Sequence, residues 1–208
     1  MAVAKNLVGI VAAALAFFAF AGSASAQVVD FTNAAFTPIS TASTSIPVGA
    51  SEFCQRFPAD CRPNTDIVPA AALTEASWNQ LLSVNAYFNA NIVPVTDREL
   101  YGVDEFWTYP NGYGDCEDIA LAKRRQLIQD GWSPSDLMIA VVRQRNGEGH
   151  AVLMVRTDRG DLVLDNQDGN IRVWTESPYH FLKRQSQSNP SQWVDIYDER
   201  PTIVAAAY

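Results

Sequence analysis

One cysteine lies where a helix is predicted to begin, a position that favours nucleophilic chemistry. The glycines and proline of residues 110–114 disfavour regular structure, whereas strong helix formers fill residues 119–128. Asp115 is the predicted N-cap, so Cys116 falls in the first turn of the helix. Unpaired backbone N–H groups and the positive end of the helix dipole stabilise a thiolate there. The alternative is a structural cysteine that closes the apolar end of the helix.

A catalytic cysteine needs a base that takes its proton, and the chain has two histidines. His150 begins a predicted strand directly after the turn signal of residues 146–149, at an edge suited to a cleft, whereas His180 is predicted to lie at the surface. Asp165 ends the next strand on the same face as His150, but the expected hairpin separates them by roughly 13 Å along the strand. A bulge, a strong twist or a shifted register must shorten this distance. Otherwise Asn166 or another carboxylate orients the histidine.

Three carboxylates surround Cys116 in the sequence: Asp115, Glu117 and Asp118. Their negative charge raises the pKa of a thiol and opposes the helix dipole, which is equivalent to about half a charge. Either these carboxylates point away as N-terminal caps, or a cation neutralises them. Ca²⁺ fits such a set, because it binds six to eight oxygen ligands in proteins. Further oxygens would come from the preceding loop, through Asp104, Glu105 or the carbonyls of residues 109–114.

Residues 1–26 have the pattern of a secretory signal peptide. Lys5 gives a basic start, residues 7–21 are apolar and uncharged, and an Ala-x-Ala site ends at Ala26. We expect cleavage near Ala26 and a periplasmic or secreted location, with an uncleaved N-terminal anchor as the alternative. The net charge of −8 argues against nucleic-acid binding.

The three cysteines divide into a pair and a single residue. Cys54 and Cys61 lie close together in a segment with turn chemistry, and an exported protein folds in an oxidising compartment. We therefore predict a local disulfide between them. Cys116 remains as a free thiol, unless it forms an intermolecular disulfide.

The remaining pattern predicts one α+β domain over residues 51–208, preceded by a flexible arm over residues 27–50. Thr74 is the predicted cap of a helix that ends near Asn91. Residues 94–110 are predicted to be irregular and either line a cleft or cover the core, and residues 175–192 to be loop or short helix. An antiparallel sheet is expected to pack on the Cys116 helix, with strands over residues 137–144, 150–157, 162–165, 171–174 and 193–197.

Three segments together resemble the bacterial transglutaminase-like cysteine peptidases: Gly-Asp-Cys-Glu-Asp at 114–118, Gly-His-Ala-Val at 149–152 and Leu-Asp-Asn at 164–166. The resemblance implies a papain-like, transglutaminase-core fold. It also implies Cys116 as nucleophile, His150 as general base and acid, and Asp165 as the group that orients His150. Calcium bound by the flanking carboxylates is implied as well, through Asp115, Glu117 and Asp118.

The resulting hypothesis is an exported cysteine endopeptidase that works through an acyl-enzyme, with or without calcium. The oxyanion would bind the backbone N–H of Cys116, and Trp107 is one suggestion for a second donor. The resemblance implies a protein or peptide substrate, such as a cell-surface adhesin, and an inner-membrane regulator. Alternatives are a transglutaminase or a cell-wall amidase that uses the same triad, and a non-catalytic periplasmic binding module.

Overall fold

A computed structural model describes residue 29, residues 31–32 and residues 34–201. The predicted signal peptide, residues 1–26, lies outside the described residues. Within the described part of the chain, no helix combines the length and the apolar character needed to cross a bilayer.

Nine strands and four α-helices form the described part of the chain. The strands are β1 (Ile39–Thr44), β2 (Val93–Pro94), β3 (Tyr113–Gly114), β4 (Leu137–Arg143), β5 (Gly149–Thr157), β6 (Gly160–Leu164), β7 (Arg172–Val173), β8 (His180–Gln185) and β9 (Trp193–Ile196). The helices are α1 (Val48–Arg56), α2 (Glu75–Asn91), α3 (Asp97–Tyr101) and α4 (Cys116–Gln129).

Seven of these strands form one sheet in the order β1-β9-β8-β4-β5-β6-β7, and all its neighbouring strands are antiparallel. Its central strands β4 and β5 are apolar and buried along most of their length, because both of their faces are covered. Helix α4 packs on β5 and against α2. This α+β arrangement has the papain-like form that was predicted.

The two long helices begin where the sequence predicts. Thr74 caps α2 with a complete capping box, in which the Thr74 and Ser77 side chains each bind the other's backbone N–H. Helix α4 begins at Cys116 after Asp115, although the Asp115 side chain makes no capping hydrogen bond. The Asp115 carboxylate is therefore available for another role.

Two segments differ from the sequence prediction. Residues 175–192 contain β8, which lies between β4 and β9 instead of forming a loop or short helix. The polar residues of β8 obscure the alternation that marks a strand. They can be buried because tertiary contacts supply their hydrogen bonds: Gln185 accepts the N–H of Ile139 at 2.9 Å and donates to the carbonyl of Pro190 at 3.0 Å.

The predicted flexible arm over residues 27–50 is also wrong in its second half. Residues 39–44 form β1, which pairs with β9 at the edge of the sheet, and α1 begins at Val48. Most of β1 is solvent-exposed, so its sequence is polar and lacks the apolar alternation that marks a half-buried strand.

Cys54 and Cys61 are joined by a disulfide, with their Cα atoms 5.5 Å apart. The bond links α1 to the short 3₁₀ turn at Pro58–Cys61. Cys116 is the free cysteine of the described residues. A thiol-specific reagent therefore has a single target there.

Candidate active site

Close packing before α4 positions the cysteine. Strand β3 pairs with β2 in a small parallel sheet and leads directly into Asp115. A Cβ atom at Gly114 would lie 2.9 Å from the Cβ of Asp118, so only glycine fits this approach. The Sγ of Cys116 accepts the backbone N–H of Ala151 at 3.4 Å. This contact places the thiol against β5, at the residue that follows His150.

His150 and Asp165 form a buried hydrogen-bonded pair. The distance from His150 Nε2 to Asp165 Oδ1 is 2.8 Å, and their side chains are only 1% and 4% exposed. Because Nε2 is engaged by Asp165, Nδ1 is the ring nitrogen left for another partner. The side-chain amide of Gln167 lies 3.5 Å from Nδ1.

The hairpin register explains how His150 and Asp165 meet. A turn that paired Asp158 with Asp161 would place Asp165 opposite Met154, four residues from His150. The observed ladder instead pairs Thr157 with Gly160, so its continuation places Asp165 opposite Val152. This shift halves the offset to roughly 7 Å along the strand and keeps both side chains on one face. Gly160 permits the tight turn with a φ of 107°.

Asp165 is held by groups from three other parts of the chain. Tyr179 donates its hydroxyl to Oδ2, the backbone N–H of Gln167 donates to Oδ1 at 3.0 Å, and Asn89 on α2 binds the backbone carbonyl at 2.8 Å. Burial raises the pKa of Asp165, but the hydrogen bonds from His150 and Tyr179 outweigh it and lower the pKa below its usual value. The carboxylate thus stays ionised beside the histidine.

Sequence reasoning missed Tyr179, Asn89 and Gln167. Tyr179 precedes the unpredicted strand β8, and Asn89 lies near the end of the predicted helix α2. The position of Gln167, two residues after Asp165, was the one available signal. No local pattern indicates the other two contacts, because they join segments 76 and 14 residues away from Asp165 in sequence.

The thiol is held in its protonated form by its surroundings. Cys116 donates its S–H to Glu117 Oε2 at 3.0 Å. Burial, and then the negative charge of Glu117, raise the pKa of Cys116 well above its usual value. The helix dipole does not overcome these two effects, so the thiol is favoured over the thiolate.

Three carboxylates form a compact group beside the thiol: Asp97, Asp115 and Glu117. One oxygen of each lies within 4.8 Å of the others. An oxygen of Asp97 and one of Asp115 are buried without a hydrogen-bond partner among the described residues. Burial and the charge of Asp115 raise the pKa of Glu117 to about 9, and burial also raises the pKa values of Asp97 and Asp115. A divalent cation with oxygen ligands fits this arrangement.

One of the three predicted ligands, Asp118, does not belong to this compact group. Its Oδ1 accepts the backbone N–H of Thr108 at 2.7 Å. Asp97, from the first turn of α3, takes the third position. The sequence did not indicate this, since Asp97 and Asp115 are 18 residues apart.

Asp104 and Glu105, the two side chains suggested as further calcium ligands, bind other groups. Asp104 forms an ion pair with Arg98 on the surface. Glu105 accepts the indole N–H of Trp107 at 2.9 Å, so this N–H is not free to act as an oxyanion donor.

A cysteine at the start of a helix, set against a strand whose histidine binds an aspartate, defines a papain-like cysteine peptidase of the transglutaminase-like class. The chain belongs to the family described as bacterial transglutaminase-like cysteine proteinase BTLCP, which matches residues 40–201. It therefore acts on a protein or peptide substrate.

Solved structures of Legionella pneumophila LapG are similar to this chain. The calcium-bound form has 24% sequence identity and a TM-score of 0.50, and the match covers 60% of this chain and 71% of LapG. The EGTA-treated form has 27% identity and a TM-score of 0.46, with 52% and 62% covered. The likeness to the calcium-bound form shows a shared fold. No curated protein sequence matches the chain.

Proposed function

We propose that this protein is an exported, calcium-dependent cysteine endopeptidase whose catalytic residues are Cys116, His150 and Asp165. The observation that carries the proposal is the buried His150–Asp165 hydrogen bond of 2.8 Å, next to a thiol that contacts the N–H of Ala151. Nucleophile, base and orienting carboxylate are the parts that acyl transfer by a cysteine requires.

In the reaction, the Cys116 thiol passes its proton to Nδ1 of His150 and the sulfur attacks the peptide carbonyl. Asp165 stabilises the imidazolium through Nε2. The tetrahedral oxyanion binds the backbone N–H of Cys116 at the start of α4. His150 then protonates the leaving amine, and water activated by His150 releases the acyl group and restores the thiol.

Asp97, Asp115 and Glu117 are the residues that would hold the calcium ion. The unpaired buried oxygens of Asp97 and Asp115, which lie close to an oxygen of Glu117, support this assignment. The similar structure of Legionella pneumophila LapG is calcium-bound, which also supports it. When bound, calcium would neutralise the negative charge beside the thiol. Glu117 would then no longer hold the Cys116 proton.

The signal-peptide pattern of residues 1–26 supports a periplasmic or secreted location after cleavage near Ala26. A cell-surface adhesin is the substrate that we propose from the family resemblance, with an inner-membrane protein as regulator. Both would be met in the periplasm.

Labelling by a thiol-directed electrophile tests the catalytic assignment. With calcium, the mature protein should be labelled rapidly at Cys116, and His150→Ala should slow the labelling because the base is lost. Cys116→Ala should abolish both labelling and peptide cleavage. Slow labelling that does not depend on His150 would falsify the assignment. Incorporation of an added amine in place of hydrolysis would instead indicate a transglutaminase.

A further inference from the structure

A cavity of about 290 Å³ lies beside the proposed catalytic residues. Tyr179 forms the wall between them: its hydroxyl binds Asp165, and its ring centroid lies 5.2 Å from that of His150. The same Tyr179 lines the cavity. Tyr179 therefore borders both the cavity and the His150–Asp165 pair.

The sheet register places the rim of this cavity one residue beyond His150. His150 on β5 pairs with Val142 on β4, and the next row outward contains Gly149, Arg143 and His180. Consecutive residues of a strand are about 3.3 Å apart. Arg143 and His180 project from the face opposite to that of His150, because side chains alternate along a strand, and they lie where β4 ends and β8 begins.

The lining of the cavity is positively charged. Arg200 is already engaged, because it binds Asp198 and four backbone carbonyls: those of Trp174, Thr175, Ser177 and Tyr179. Arg143 and Arg145 are different. Within the described part of the chain, neither guanidinium has a hydrogen bond or an ion pair, and both arginines are exposed. Their charges are uncompensated in a chain whose net charge is −8.

A buried hydroxyl in the same cavity also lacks a partner. The Oγ atom of Ser177 forms no hydrogen bond with any described residue, and Ser177 is only 6% exposed. A buried hydroxyl is normally hydrogen-bonded, so Ser177 leaves one unpaired polar atom in the lining, although that atom is itself closed to solvent. His180 adds a partly buried imidazole, 3.6 Å from Asp198.

We propose that this cavity is a substrate subsite that binds an acidic side chain, Asp or Glu, close to the cleaved bond. The inference rests on the proposed peptidase function and adds a substrate preference to it. Arg143 and Arg145 bind the carboxylate, since a guanidinium forms paired hydrogen bonds with its two oxygens. Tyr179, which contacts His150 and Asp165 and also lines the cavity, connects the subsite to the catalytic residues.

Cleavage of a proteome-derived peptide library by the mature protein in calcium tests the preference. Asp and Glu should be enriched within about three residues of the cleaved bonds. The double variant Arg143→Gln/Arg145→Gln should lose roughly threefold to tenfold of this enrichment. The matched control is Arg159→Gln, an exposed arginine in the turn at the far end of β5. It should keep the preference.

A binding experiment separates failure of this inference from failure of the proposed function. Immobilised Cys116→Ala protein should retain acidic peptides over partners in which Gln replaces Glu, and adding the two arginine substitutions should remove the difference. This result supports the subsite even if the wild-type protein cleaves nothing, which would count against the peptidase proposal alone. Equal retention of both peptide sets, or a preference that survives the double substitution, overturns the subsite.

Discussion

Buried carboxylates at two places in this molecule differ in whether the chain supplies a counter-ion for them. Asp161 on β6 is fully buried, and its oxygens bind the guanidinium of Arg156 at 2.9 and 3.0 Å and the N–H and hydroxyl of Thr37 at 2.8 and 2.7 Å. The second group lies beside the thiol and consists of Asp97, Asp115 and Glu117. Among the described residues, no lysine or arginine forms an ion pair with any of these three.

The difference separates a structural carboxylate from a functional site. A buried charge is costly unless it is paired, and at Asp161 the chain supplies the partner itself. At the second group the chain assembles three carboxylates and no counter-ion, and two oxygens have no hydrogen-bond partner there. Such an arrangement costs stability, so we expect it to persist because an external cation uses it.

The largest expected effect contrasts the same substitution in the two groups. Asp161→Asn should lower the free energy of unfolding by about 3–5 kcal/mol, because it leaves Arg156 buried without its counter-ion. Asp97→Asn, measured in chelator, should leave stability unchanged or raise it by about 1 kcal/mol, because it removes like-charge repulsion. Urea unfolding of both variants measures the contrast. Equal destabilisation would mean that the two groups do not differ as described.

The pH dependence of stability should reveal the second group directly. Glu117 has a pKa of about 9 in the folded protein against an ordinary value of 4.5. Between these values the folded state binds the extra proton, so in chelator stability should fall as pH rises. The slope contributed by one group is at most about 1.4 kcal/mol per pH unit, or about 3 kcal/mol between pH 6 and 8. Glu117→Gln should flatten the curve, and an unchanged slope would exclude Glu117 as its source.

Calcium binding should restore the stability that the protein loses through the uncompensated charges of Asp97, Asp115 and Glu117. At a concentration 100-fold above its Kd, calcium should stabilise the wild-type protein by about 2.7 kcal/mol. Asp97→Asn should lose this gain in thermal unfolding. Asp104→Asn should keep it, because Asp104 pairs with Arg98 on the surface. An equal gain in the Asp97 variant would place the ion elsewhere.

The smallest expected effect concerns Asp165, which is buried but well supplied with donors. Tyr179→Phe removes one of them and should lower kcat/KM roughly fivefold to tenfold, as expected for one hydrogen bond to a charged group. The pKa of Asp165 should rise, so the acid limb of the pH–rate profile should move to higher pH. Tyr87→Phe, on an exposed tyrosine, is the control. An unshifted profile would mean that the Tyr179 hydroxyl does not affect the ionisation of Asp165.

Local features were predictable because they depend on neighbours in the sequence. The start of α4 at Cys116 follows from the glycine-rich lead-in and the helix formers after it. Helix α2 follows from Thr74 and the apolar spacing, and the disulfide from two cysteines seven residues apart. Strands β4 and β5 were visible because their residues are continuously apolar.

The sequence by itself thus determined the elements that carry the thiol and the histidine, and the residue types at their ends. Only the tertiary structure decided which carboxylates reach them: the β5–β6 register brought Asp165 to His150, and α3 brought Asp97 to Asp115. The physical reason is the separation in sequence between the residues that interact. Helix caps and turns depend on bonds between near neighbours, whereas a strand register and a three-carboxylate site depend on packing between segments that no local pattern connects.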